Sequence, residues 1–397
     1  MSLTLKMPAA DGRLESYRLS GNAPVASGGA PGPFNRIAYS AAHVVADPCA
    51  NVDPSERSAL DWDATIAYRR HLWSLGLGVA EAMDTAQRGM GLDWPTSLEL
   101  IARTLDAARD VAGARVASGC GTDHLAPEDA RGIEDVIAAY ELQMGEIEKL
   151  GGRLIIMASR ALARVARGPD DYIRVYDRVL SQAREPVVLH WLGEAFDPAL
   201  AGYWGTADIG VAMDHVLGVI AAHADKVDGI KISLLDKQKE IEMRRRLPAG
   251  VRMYTGDDFN YAELIAGDGG GTQPNHGHSD ALLGIFDAIA PAASAALSAL
   301  GAGDAARFNE ILQPTVALSR HIFQAPTRFY KTGVVFMAWL NGHQSHFSMV
   351  GGQQGMRSLP HLCELLRLAD AARLIQDPDL ATHRMRLLLA CHGIGDA

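Results

Sequence analysis

Val227-Asp228-Gly229-Ile230-Lys231-Ile232-Ser233 reads as a short strand with two unlike faces. Strand alternation puts Ile230 and Ile232 on one side and Gly229, Lys231 and Ser233 on the other. In a parallel barrel the isoleucines face the surrounding helices. Lys231 then points inward near the C-terminal mouth, where barrel enzymes place their sites. A lysine held out of water has a lowered pKa and can act as a neutral amine that attacks carbonyls. The same lysine at a strand end can instead be solvated, or paired with Asp228 or Asp236.

Outward from this strand the chain keeps a regular rhythm. Strand-like runs at Asn35–Tyr39, Gly78–Ala82, Ala114–Ala117, Arg153–Met157, Pro186–Trp191, Gly229–Ile232 and Val251–Tyr254 alternate with helical patterns. The first six begin 33 to 43 residues apart, enough for a strand, a helix and two loops. Helices are expected over Asp63–Leu75, Ser97–Ala112, Pro127–Leu150 and Tyr172–Ala183. An eighth strand near Gly269–Pro274 completes an α/β fold of the TIM (β/α)8 type. An open doubly wound sheet is disfavoured because no G-x-G-x-x-G turn follows the first strand.

From about Ala281 only helical patterns remain: Ala281–Ala290, Ala292–Leu300, Ala305–Phe323, Gly333–Leu340, Leu359–Leu374 and Ala381–Cys391. The expected organisation is an N-terminal arm or hairpin over 1–33, a barrel over 34–290 and a C-terminal helical extension over 291–397. The extension covers one side of the barrel or mediates assembly.

Composition limits the function classes. The 397 residues are 48% hydrophobic and 21% charged, with a net charge of -10. This describes a globular chain with no basic footprint for nucleic acid or an anionic membrane. No apolar run spans a bilayer and no secretory segment follows Met1, so a cytoplasmic protein with a small-molecule substrate is expected. Cys49, Cys120, Cys363 and Cys391 are scattered and form no C-x-x-C pair. Cys120, in the loop Ser118–His124, is a small packed residue or a nucleophile.

Two further groups carry chemistry. Asp257 and Asp258 follow the seventh strand and suit substrate hydroxyls or a water. Asp258, before Phe259-Asn260-Tyr261, is also placed to cap the next helix. His276 and His278 form an H-x-H beside Asp280. With Glu81, Asp257 or His43 they suggest a divalent metal site, the alternative to a cofactor-free enzyme. His343 and His346 read as surface or interface residues.

Taken in order, these segments resemble the dihydrodipicolinate synthase/N-acetylneuraminate lyase superfamily of class I aldolase-type barrels. Val227–Ser233 is similar to the family's sixth strand, which ends in the Schiff-base lysine. Tyr254-Thr255-Gly256-Asp257-Asp258 resembles its seventh-strand segment, and Pro186–Trp191 its fifth strand. Asp61–Leu100 resembles the first helix, second strand and following helix. Tyr330-Lys331-Thr332-Gly333 and Leu340-Asn341-Gly342 resemble parts of its helical C-terminal region. The resemblance spans roughly Phe34–Gly342.

It implies a lyase, aldolase or related dehydratase or synthase acting on a 2-oxo acid through Lys231, in a homodimer or homotetramer. His190 replaces the fifth-strand tyrosine and takes over proton transfer. Thr85 stands in the carboxylate-binding loop, which here reads Glu81-Ala82-Met83-Asp84-Thr85-Ala86-Gln87-Arg88-Gly89. Arg88 or Arg160 then holds the substrate's anionic end and offsets Asp84. Ala158-Ser159-Arg160 replaces the fourth-strand Pro-Tyr-Tyr. Two alternatives stand beside this one: a metal-dependent isomerase or hydrolase using Glu81, Asp257, His276 and His278, and a non-catalytic ligand-binding barrel.

Overall fold

The computed structural model describes residues 3–9, 11–26, 31–268 and 277–395. A hairpin of β1 (Thr4–Pro8) and β2 (Leu14–Arg18) comes first. Eight strands follow: β3 (Ala38–Ala41), β4 (Gly78–Glu81), β5 (Val116–Cys120), β6 (Arg153–Met157), β7 (Val187–Leu192), β8 (Val227–Ser233), β9 (Arg252–Thr255) and β10 (Asp280–Leu283). They pair in parallel in chain order, and β10 closes on β3 to make a barrel. The architecture is the α/β barrel with C-terminal helices that the sequence rhythm predicts.

Side-chain alternation builds two cores. Tyr39, Ala41, Ala80, Ala117, Ile155, Val188, Tyr254 and Leu282 pack together inside the barrel. Their strand neighbours Val79, Val116, Ile156, Leu189, Ile230, Met253 and Leu283 join the larger core under the helices. Helices Trp62–Ser74, Trp94–Arg109, Ile209–Ala222 and Lys237–Arg246 each begin at an aspartate whose carboxylate accepts from a first-turn N–H.

The eighth strand is displaced from its expected place. Gly269–Pro274 lies outside the described residues, and the strand that closes the barrel is Asp280–Leu283, inside the expected helix Ala281–Ala290. A four-residue apolar run does not distinguish strand from helix by period. Only Ile285–Ala288 of that segment is helical before the next helix, Ala290–Gly301. The expected helix Ala305–Phe323 divides into Ala305–Leu312 and Thr315–Ile322, with Pro314 at the break.

The remaining helices are Tyr330–Leu340, Leu359–Ala371 and Pro378–Cys391. Every residue of Tyr330–Leu340 is buried, so its apolar run Val334-Val335-Phe336-Met337 is core on all sides. The N-terminal hairpin is tied to Leu359–Ala371: Tyr17 and Ser20 donate to the Asp370 carboxylate at 2.7 Å. Among the described residues no helix is long and apolar enough to cross a membrane.

Candidate active site

Lys231 sits one residue from the middle of β8 toward its C-terminal end, buried, on the inward face. Directly across the ladder its partner in β7 is His190. Space for the lysine comes from Gly256, just beyond β9. A Cβ there would stand 2.8 Å from Lys231 Cε and 2.4 Å from Ser233 Oγ.

Burial lowers the Lys231 pKa, and the carboxylates of Asp258 and Asp84 oppose that shift. His190 is pushed well below the usual imidazole range, first by burial and then by the positive charge of Lys231. It is therefore neutral near pH 7. Its Nε2 lies 3.3 Å from Ser233 Oγ, while its Nδ1 is buried without a hydrogen-bond partner. A buried ring nitrogen left open at a cavity wall is a proton acceptor in waiting.

The two aspartates after β9 have different jobs, and neither caps the helix that follows, whose N-cap is Asn260. Asp257 accepts from Phe259 N at 2.9 Å and Asn260 N at 3.1 Å, which ties down the turn. Asp258 instead turns into the protein and accepts from Ile285 N at 2.9 Å. Burial raises its pKa to about 7, with Lys231 pulling the other way.

The loop after β4 delivers Asp84 and Thr85 to the mouth. Ala82 holds a φ of 52° there, a strained value for a residue with a Cβ. Thr85 Oγ1 and Tyr330 OH share a hydrogen bond of 2.7 Å. Gly284, beyond β10, leaves room for both: a Cβ would meet Tyr330 Cε2 at 3.1 Å and Thr85 Oγ1 at 3.4 Å. The helix Tyr330–Leu340 thus supplies a side chain to the barrel mouth.

A cavity opens here, bordered by His190, Met157, Thr122, Asp84, Arg88 and Arg160. A second shares Asp84, Arg160, Leu192 and Asp197 with it and extends to Tyr330 and Lys331. Arg160 borders both and pairs with Asp197 through Nε.

Several expected roles change. Arg88 lines the first cavity, yet all three of its nitrogens already donate: Nε to Asp123 at 3.0 Å, Nη2 to Asp123 and Gln143, and Nη1 to the carbonyls of Ala82 and Gly119. It braces the loop rather than offering a free fork to a substrate. Cys120 is buried and its thiol is pushed up to about 12, so it is no nucleophile.

The proposed metal ligands do not converge. Glu81 points between barrel and helices, paired to Arg69 at 2.9 Å and accepting from Thr104. Asp257 is taken up by its turn. Asp280 begins β10 at the opposite end of the barrel, bonded to Ile37 N and Arg252. His278 lies two residues before it, among Arg36, Arg244 and Arg252. His276 lies outside the described residues. Among the described residues no group of three His, Cys, Asp or Glu side chains is placed to hold a metal.

His343 is half-buried. It packs on His71 and Tyr68 with ring centroids 4.5 and 5.0 Å away, and burial lowers its pKa to about 4. Nearby, His43 Nδ1 pairs with Asp287 at 2.9 Å.

Ser233, Tyr330 and Lys331 border the site without having been singled out for chemistry in the sequence. Ser233 was legible from alternation alone. The other two reach the mouth only through long-range packing.

A family model described as "Protein of unknown function (DUF993)" matches residues 5–394. A search of curated proteins finds no match by sequence. Among solved structures the chain resembles dihydrodipicolinate synthase from Aquifex aeolicus, at 12% identity and TM-score 0.62, over 86% of this chain and 99% of the other. It also resembles YagE, a prophage protein of the dihydrodipicolinic acid synthase family from E. coli K12 in complex with pyruvate. That match has 14% identity and TM-score 0.64, over 86% of this chain and all of the other. The lysine-bound enzyme from Cyanidioschyzon merolae gives 14% identity and TM-score 0.62, over 85% and 98%. The likeness establishes the barrel fold of that family.

Proposed function

The chain belongs to the DUF993 family, and we propose that it is a Schiff-base-forming lyase or aldolase acting on a 2-oxo acid through Lys231. The observation that carries this reading is the pairing of a buried, inward-facing lysine with a neutral histidine at the mouth of the barrel. The fold shared with YagE, solved with pyruvate, supports a 2-oxo acid as the carbonyl partner.

The steps follow from the side chains. Lys231, deprotonated, adds to the ketone carbon, and the resulting hydroxyl takes a proton from Asp258 and leaves as water, giving a protonated imine. The imine nitrogen accepts the electron pair of an adjacent C–H or C–C bond as that bond breaks. His190 takes the released proton on its open Nδ1 and returns it later. Asp258, poised near neutrality, exchanges protons with the amine. The Thr85 and Tyr330 hydroxyls orient the carboxylate beside the ketone. This chemistry calls on no metal and no organic cofactor.

Solvent exchange tests the proposal. Pyruvate and 2-oxobutyrate incubated with the protein in deuterium oxide exchange the protons next to the carbonyl, followed by NMR, and Lys231→Ala abolishes the exchange. Equal exchange in Lys231→Ala, or none with any 2-oxo acid tried, overturns it.

A further inference from the structure

Lys331 is a buried amine with no carboxylate partner. Among the described residues it makes no salt bridge; its Nζ donates to Met90 Sδ and the Arg328 carbonyl, both at 3.1 Å. It also lies 5.0 Å from the centroid of the Tyr330 ring. A buried ammonium without a direct ion pair is costly to the fold, although Asp84 and Asp197 favour its charge from a distance, and an ammonium carries three donors, of which these contacts use two. The group lines the second of the two neighbouring cavities, together with Arg160, Arg328, Asp84 and Asp197, of which Arg160 and Asp197 are paired with each other. Three cations against two carboxylates leave one positive charge.

We propose that this outer cavity is a carboxylate subsite, in which Lys331 and Arg160 hold a second acidic group of the substrate. The proposal rests on the reading of Lys231 as the imine-forming residue and adds the substrate class. That class is a 2-oxo acid whose far end carries a carboxylate, one end at Lys231 and the other under the helix Tyr330–Leu340. The single residual charge matches a carboxylate rather than a dianionic phosphate. The inner cavity, bordered by His190, shares Asp84, Arg160, Leu192 and Asp197 with it.

The test uses saturated acids that have no ketone, so imine chemistry plays no part in it. Calorimetric titration of the full chain with glutarate, adipate, butyrate and inorganic phosphate reads the subsite directly. Glutarate or adipate binds at least about tenfold more tightly than butyrate, as a charge-assisted contact requires. Lys331→Met removes that preference and Lys331→Arg retains it. If Lys331→Met fails to fold, Arg160→Gln reports the same loss from the exposed side of the cavity.

Equal binding of diacid and monoacid, preference intact in Lys331→Met, or phosphate binding more tightly than either diacid overturns the subsite. Failure of the two readings is separable. A diacid preference without covalent chemistry at Lys231 keeps the subsite and removes the lyase, and covalent chemistry without the preference does the reverse.

Discussion

His190 and Lys231 face each other across the β7–β8 ladder, and the charge of the lysine makes protonation of the histidine more costly. Burial lowers both pKa values, and the lysine's charge lowers that of the histidine further. Such a pair favours one proton shared in turn over two held at once. His190→Gln keeps a hydrogen-bonding group toward Ser233 but no proton acceptor. It leaves borohydride trapping on Lys231 intact and slows solvent exchange of the substrate's C–H protons by about 10²–10⁴-fold. Loss of both activities together would assign His190 to binding instead.

Asp258 supports the charged form of Lys231. Asp258→Asn removes that support, so the lysine pKa falls further and the pH midpoint of imine trapping moves down. The check is trapping rate against pH from 5 to 9 in both proteins. An upward shift or an unmoved midpoint contradicts the coupling.

Gly256 is the gap that Lys231 occupies. In Gly256→Ala the new methyl meets the Ile232 carbonyl at 2.6 Å and Lys231 Cε at 2.8 Å. The lysine is displaced, and trapping slows by at least about tenfold, while overpacking lowers stability by about 1–3 kcal/mol. Thermal unfolding and trapping are measured together. Unchanged trapping in a folded variant shows that the lysine does not use this space.

Glu240 ties the barrel to its outer shell by accepting from Thr255 Oγ1 at 2.9 Å and Ser279 Oγ at 2.7 Å. Burial raises its pKa from 4.5 to about 8. In the unfolded chain it ionises near 4.5, so between there and 8 the folded state holds the extra proton. Stability from this group is complete below about pH 4.5 and declines as pH rises to about 8. Asp258 adds the same sign up to about 7. Glu240→Gln therefore flattens the fall of Tm between pH 5 and 8. A steeper fall contradicts the assignment.

What the sequence makes legible is what depends on local period. Alternation in Val227–Ser233 places Lys231 inward, and the strand spacing yields the barrel order. The eighth strand escapes because Asp280–Leu283 has too few residues to express a period. The role of Arg88 escapes because its partners, Asp123 and Gln143, lie 35 and 55 residues away. The H-x-H pair misleads for a related reason. Proximity in sequence says nothing of which end of the barrel a loop occupies, and His278 belongs to the end opposite the mouth. Tyr330 meets Thr85 across 245 residues, a contact that only the packing of the helix Tyr330–Leu340 creates.

The most direct test of the central claim is borohydride reduction in the presence of 2-oxo acids, read by intact mass and peptide mapping. The account predicts a covalent gain equal to the reduced imine of the added acid, on the peptide that holds Lys231, and none in Lys231→Ala. A gain that persists in Lys231→Ala, or that maps to Lys331, would contradict it.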